Sequence, residues 1–209
     1  MGAFTIEEKN CKIQKMLEKN NFKFFPLKSA TPEEFFLAIG EAKETNEFGA
    51  FVEQHSIEEY SKMRFLFLTL DNKAGIAITT DNNIVSVFNG GKQKGVLKTL
   101  LPMALEVGGN KLDNFDSDKL SSLYELYGFD PISNTEFDRT FAPEDWNYER
   151  DGTPDIVFWL HNGDSVSDVL LNFGDYDVDW ENVKKFSTYD EAKKYRDDYE
   201  KANKQKLED

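Results

Sequence analysis

The chain has 209 residues, enough for a well-packed domain with an appendage, and 39% of them are hydrophobic, including 18 Phe, which excludes global disorder. Thirty-nine acidic residues against 25 Lys and Arg leave a net charge of −14, which argues against nucleic-acid binding through a general electrostatic footprint and suits a basic partner or substrate. The single cysteine, Cys11, excludes an internal disulfide and a cysteine-based zinc site, and it fits a reducing, cytosolic setting. The opening residues lack an apolar signal core, and no apolar run approaches the length of about 18 residues that a membrane span needs, so a soluble protein is expected.

In chain order, "IEEKNCKIQKMLEKNN" (6–21) reads as a polar helix or a frayed arm, and "FKFFPL" (22–27) as a strand. Thr31 and Glu34 form a capping box with Pro32 at the first helical position, followed by an apolar stripe through Phe35, Phe36 and Ile39. "GAFVEQ" reads as a short strand, and Ser56 with Glu59 repeats the capping pattern before a second short helix. "RFLFLTL" (64–70), "GIAIT" (75–79) and "IVSVF" (84–88) are strands joined by "DNKA" and "TDNN", which is hairpin turn chemistry. A helix over "GVLKTLLPMALEV" closes at Gly108-Gly109; Pro102 inside it removes one donor and is expected to bend or restart it. "KLDNF" (111–115) is a strand, and "SDKLSSLYELYGF" a helix capped by Asp116 or Ser117 and ended by Gly128. "PISNTEF" and "DIVFWLH" (155–161) are strands around a long loop, and a strand and a capped helix end the chain. These elements predict a mixed α/β fold, an α+β sheet of about seven strands with four or five helices plus a C-terminal strand–helix extension. The predicted division is an arm over 1–21, a domain over 22–163 and an acidic extension over 164–209.

The stretch "NGGKQKGVLK" (89–98) places glycines and cations between a strand and a helix start, where unpaired amides and a partial positive charge attract phosphate. It meets neither the nucleotide P-loop nor the dinucleotide glycine pattern, and alone it reads more readily as a turn into a core helix.

In context, "IVSVFNGGKQKGVLKTLLPMALEVGGNKLDNFDSDKLSSLYELYGFDPI" resembles the GNAT superfamily of N-acetyltransferases, over roughly residues 22 to 161. In that family a strand leads into a Q/R-x-x-G-x-G/A loop, then a helix, a strand, and a helix ending Leu-Tyr-x-x-x-Gly-Phe. Leu123, Tyr124, Gly128 and Phe129 match that ending, and Gly95 matches the central loop glycine. Lys92, Leu97 and Ser117 depart from the usual Gln or Arg, Gly or Ala, and Asn, and Leu120 replaces the family's Ala. The resemblance implies acetyl-CoA as cofactor and an amine as acceptor. Val87, Phe88 and Asn89 would pair with the pantetheine arm, Gln93, Lys94, Gly95 and Val96 would meet the pyrophosphate, Ser117 would complete the cofactor site, and Tyr124 would protonate the leaving thiolate. A narrower resemblance, carried by "GAFVEQHSIEEY", "IVSVFNGG", "GGNKLDNFD", "LYELYGF" and "PDIVFWLHNG", is to acetyltransferase-like modules of phage and prophage polyvalent proteins, and "FSTYDEAKKYRD" resembles a small element that recurs in such proteins.

No general base is assigned by motif. His55 and His161 are the only histidines. His161 ends an apolar strand and reads more readily as structural, Glu53 and His55 follow a predicted strand and line a substrate cleft on the weaker reading, and neither His has metal-ligand company. From Glu144 to Glu181 there are 11 acidic residues and one cation, Arg150, interleaved with Trp146, Tyr148, Phe173, Tyr176 and Trp180. That region reads as a solvated surface or as a docking face for a basic protein, which defines the competing expectation: a non-catalytic protein on the same scaffold that binds and inhibits a basic host factor.

Overall fold

Three helices begin on the same device, a Thr or Ser whose hydroxyl accepts from the third helical amide while a Glu there reaches back. The pairs are Thr5 with Glu8, Thr31 with Glu34, and Ser56 with Glu59. In the computed structural model, which describes residues 5–46, 49–91, 93–143 and 146–208, they open the first three helices. The elements in order are α1 (Ile6–Lys19), β1 (Leu27–Ser29), α2 (Pro32–Thr45), α3 (Ile57–Ser61), β2 (Phe65–Thr69), β3 (Ala74–Ile78), β4 (Ile84–Asn89), α4 (Leu97–Glu106), β5 (Lys111–Phe115), α5 (Asp118–Glu125), β6 (Phe129–Thr135), α6 (Tyr148–Asp151), β7 (Ile156–His161), α7 (Val166–Leu171), β8 (Lys184–Phe186) and α8 (Tyr189–Glu208).

The mixed α/β class expected from the sequence is what is found. Its strands form two sheets of four, ordered β1-β2-β3-β4 and β5-β7-β6-β8, in place of one sheet of about seven. The chain divides into two compact units, one of residues up to Asn110 with Ser165–Leu171, the other of Lys111–Asp164 with Asn172 onward.

In the first unit all four strands are antiparallel. Phe35, Ile39, Tyr60, Leu66, Leu68, Ala77 and Phe88 form a buried cluster between α2, α3 and the sheet. Ile13 and Leu17 of α1, Leu100, Leu101, Met103 and Ala104 of α4, and Val166, Val169 and Leu170 of α7 are also buried, and α7 packs on α1 and α4. β4 carries a bulge. Val85 faces Ala77 and Phe88 faces Gly75, so Ser86 and Val87 together oppose Ile76, and Ser86 takes a left-handed φ of 50°. The expected strand over 22–27 starts only at Leu27, after Pro26, which cannot donate to a ladder. "GAFVEQ" is no strand: Gly49–Phe51 is a 3-10 turn. α4 continues unbroken past the buried Pro102.

In the second unit β7 runs antiparallel to β5 and β6, and β8 adds parallel to β6. Trp159 lies fully buried, and Ser133 Oγ donates to the Ala192 carbonyl at 2.7 Å, fastening α8 to β6. A buried ion network joins β5 to α8. Lys111 Nζ lies 3.1 Å from Asp197 and 3.2 Å from Glu200, and the fully buried Arg196 bonds both Asp197 and the Leu112 carbonyl.

Candidate functional site

The turn between β4 and α4 is built from two kinds of glycine. A Cβ on Gly90 would sit 2.7 Å from Ala42 Cβ, and one on Gly91 would sit 2.8 Å from Lys73 Cβ; both amides donate to the Lys73 carbonyl. These two glycines let the chain pass close to α2 and the β2–β3 turn, which is a packing role. Gly95 is different. Its φ is +82°, and an added Cβ would meet nothing within 4 Å, so its surroundings are open.

Asn89 holds the turn in shape: its Nδ2 donates to the Gln93 carbonyl at 3.0 Å, and its Oδ1 accepts from the Gln93 amide at 3.0 Å. Gln93 Nε2 donates to Asp71 at 2.5 Å, while its Oε1 is buried with no hydrogen bond. Lys94 is exposed, Val96 is buried, and Val96 as N-cap supplies no side-chain bond to the first amides of α4. The ten-residue helix therefore starts without a side-chain cap beside an exposed, left-handed glycine; the Lys98 and Thr99 amides donate to the Gly95 and Val96 carbonyls, which leaves the Leu97 amide as the open donor among the first three. The half-buried Leu97 is its first residue. Lys92 lies outside the described residues.

Phe88 is buried, Val87 and Asn89 are half-buried, and β4 is an edge strand of its sheet. One row of its backbone groups is thus unused by that sheet, which is the arrangement an extended ligand can extend. The open Gly95, the helix start and the free edge of β4 lie together along one stretch of chain. Leu97 is the one bulky group at the helix start.

Tyr124 belongs to the second unit, on α5. Its side chain is 8% exposed and packs against the rings of Phe129 and Trp159 at centroid distances of 6.1 and 6.3 Å. Its hydroxyl makes no hydrogen bond among the described residues. Burial first, and the Asp113 carboxylate second, push the phenol well above its ordinary range, so it holds its proton at neutral pH. Tyr127 is buried against Phe173. Ser117 caps α5, accepting from the Leu120 amide at 3.3 Å, and settles the choice between Asp116 and Ser117 as cap.

His161 is buried at the end of β7. Its Nδ1 accepts from the Gly163 amide at 3.1 Å, its ring meets Phe129, and its Nε2 is buried without a partner. Burial lowers this imidazole to about 4 against the pull of Asp164, so it is neutral at physiological pH. Asp130 lies near Asp164 and Asp179. Burial and then these two like charges raise its carboxyl.

The acidic run contains structure the sequence reading missed. Helix α7 lies inside it, with a buried stripe of Val166, Val169 and Leu170 and with Ser165 and Asp168 bonded to each other at 2.6 Å. Beyond it the chain is pinned by rings. Trp180 sets its ring perpendicular to Trp159 and donates to Glu125 at 2.8 Å, and Tyr176 donates to Asp164 at 3.2 Å. Asp175, Asp177, Asp179 and Glu181 remain exposed. Also unanticipated is the buried pair Tyr60 and Ser86, whose oxygens are 3.1 Å apart; its one sequence signal is a serine on the buried side of an alternating strand.

Among the described residues there is no group of three or more His, Cys, Asp or Glu able to hold a metal ion, and no helix is long and apolar enough to cross a membrane. No protein family, curated protein or solved structure matches the chain.

Proposed function

We propose that the protein is an acyl-CoA-dependent N-acetyltransferase that moves an acetyl group to an amine, on a scaffold resembling the GNAT superfamily. The observation that carries this reading is the uncapped start of α4 behind an edge strand, with Gly95 left-handed and open at the turn. Supporting it is the order edge strand, glycine turn, helix, strand, helix that runs from β4 to α5, the order on which the resemblance rests.

Acetyl-CoA supplies an activated acyl thioester. The turn over Gln93 to Val96 meets its pyrophosphate through the amides of Lys94, Gly95 and Leu97, since those of Gln93 and Val96 already donate to Asn89 and to the Gln93 carbonyl, and Lys94 adds charge. Val87, Phe88 and Asn89 offer backbone groups to its arm, as an edge strand accepts an added strand. Ser117, in the second unit, is a cofactor-site residue by the resemblance. Tyr124, in the second unit and protonated at neutral pH, is the donor to the leaving sulfur that the resemblance implies.

Calorimetry with acetyl-CoA on the purified chain tests this reading. Binding in the micromolar range supports it, and no heat at millimolar ligand overturns it.

A second reading is favoured by charge. The second unit holds 24 Asp and Glu against 12 Lys and Arg, while the first holds 15 against 13. On this reading the ring-pinned segment 172–182 presents its exposed carboxylates to a basic protein, and the chain is a non-catalytic inhibitor, of phage or prophage type, in the cytosol. It predicts a salt-sensitive complex that forms without acetyl-CoA, and failure to hold a basic protein at low salt counts against it.

A further inference from the structure

Three consecutive residues between the 3-10 turn and α3 are each fastened to a different element. The Glu53 carbonyl accepts from Ser86 Oγ of β4 at 3.0 Å. Gln54 Nε2 donates to the Phe36 carbonyl of α2 at 2.9 Å, and the His55 amide donates to the Tyr60 hydroxyl of α3 at 3.2 Å. Tyr60 and Ser86 share a hydrogen bond of 3.1 Å, which closes the ring of contacts around a buried phenol. Ser86 lies on the buried side of β4 with Ile84 and Phe88, at the bulge, with a left-handed φ of 50°. A loop held this way is set up to fix a side chain, as a preorganised site requires.

The side chain so fixed is His55. Its ring stands edge-on to Tyr60, with centroids 5.7 Å apart at 82°, and its Nδ1 lies 3.8 Å from the Glu53 carboxylate. Its Nε2 makes no hydrogen bond among the described residues. The ionisable groups facing it are Glu53 on its own loop and Glu59 and Tyr60 on α3; Glu59 is itself committed to Ser56. No cation pairs with this imidazole among the described residues, and two carboxylates lie near it. Such surroundings favour a cationic visitor. Val87, next to Ser86, begins the stretch of β4 assigned above to the cofactor's arm.

We propose that His55 is the general base of the acetyl transfer, that Glu53 is its positioning residue, and that the acceptor is a primary amine charged at neutral pH. The assignment rests on the acetyltransferase reading. At 3.8 Å the Glu53 carboxylate acts through its charge, favouring the ring proton on Nδ1 and leaving Nε2 as the acceptor. An N–H bond of the acceptor's ammonium breaks and its proton moves to Nε2. The freed lone pair attacks the thioester carbonyl carbon, the C–N bond forms, and the C–S bond breaks with its electron pair on sulfur. The second proton shed by nitrogen replaces the one given to sulfur, and the proton on His55 passes to solvent. One ammonium and one thioester thus yield one amide, one thiol and one proton.

The test measures thiol release from acetyl-CoA with spermine and with polylysine as acceptors, across pH 5.5 to 9, in the parent, His55→Gln and Glu53→Gln. Calorimetry with acetyl-CoA runs in parallel as the control for folding and cofactor binding. The expected result is that His55→Gln lowers kcat by about 100-fold, a usual share for a general base. It also abolishes the fall in rate on the acid side and leaves acetyl-CoA affinity unchanged. Glu53→Gln is expected to lower kcat by about 10-fold while keeping that acid-side fall. A His55→Gln variant with the parental rate and pH profile overturns the assignment and leaves the acetyltransferase reading standing. Absence of acetyl-CoA binding, or binding without thiol release from either amine, overturns the reading and the assignment with it.

Discussion

Lys111 on β5 and Glu200 on α8 stand 89 positions apart in the chain and meet at 3.2 Å, each with a side chain under one-tenth exposed. Burial alone would lower the pKa of the Lys111 ammonium, but its hydrogen bonds to Asp197 and Glu200 outweigh this and hold it above the ordinary lysine range. Lys111→Met removes a buried cation shared by two carboxylates, which keep Arg196 and Lys204 as partners. The expected loss is about 3 kcal/mol, the low end for breaking a buried pair. Because the folded pKa is raised, this stability is complete below the unfolded lysine pKa and is lost as pH climbs through the folded one. Urea unfolding followed by tryptophan fluorescence checks both points, since Trp146, Trp159 and Trp180 all lie in the second unit.

His161 makes the opposite prediction at acid pH. Folded, its imidazole takes a proton only near 4; unfolded, near the ordinary value of about 6.5. Between those values the unfolded chain binds the extra proton, so stability is full above about pH 6.5 and declines by about 3 kcal/mol as pH approaches 4. His161→Phe keeps a ring against Phe129, removes the unpartnered nitrogen and should flatten this decline. Urea midpoints at pH 7 and pH 5, compared between parent and variant, decide it.

Gly90 and Gly95 should respond differently to alanine. At Gly90 the new methyl falls 2.7 Å from Ala42 Cβ and 2.9 Å from its Cα, so the cost is overpacking, about 1 to 3 kcal/mol, seen as a lowered Tm by circular dichroism. At Gly95 there is no clash, and the left-handed backbone alone costs about 1 to 2 kcal/mol. Only Gly95→Ala should also weaken acetyl-CoA, by about 10-fold in Kd. An equal loss of affinity in both variants would show that the turn responds as a whole.

Tyr124→Phe removes a hydroxyl that has no hydrogen bond among the described residues and leaves the ring packed on Phe129 and Trp159. Stability should change by less than about 1 kcal/mol. If the hydroxyl protonates the thiolate, kcat should fall by about 100-fold with acetyl-CoA affinity kept. A fall in stability and affinity together would mark the residue as packing.

Where local chemistry dominates, the sequence was readable. Thr31 with Glu34 and Ser56 with Glu59 cap helices as their spacing requires, and the hairpins of β2 to β4 turn where Asp and Asn cluster. Where tertiary contacts decide, it was not. "GAFV" carries strand-like residues, yet Gly49 lies against the Lys43 backbone, where a Cβ would come within 2.4 Å of the carbonyl oxygen, and the chain turns there. Helix α7 was hidden by acids although Val166, Val169 and Leu170 keep helical spacing. Of the candidate residues, Gly95 and Tyr124 stood out through motif order. The Tyr60–Ser86 pair did not, because a serine on the buried side of a strand does not show which distant hydroxyl it meets.

Helix α7 belongs to the unit formed by the first 110 residues, yet it is encoded after most of the second sheet. On the ribosome, therefore, the earlier unit waits for residues 165–171 before its core closes, while β5, β6 and β7 have already emerged. A stop or cleavage before Ser165 would release a nascent chain with the apolar groups that pack on α7 laid bare, and quality-control chaperones should retain it.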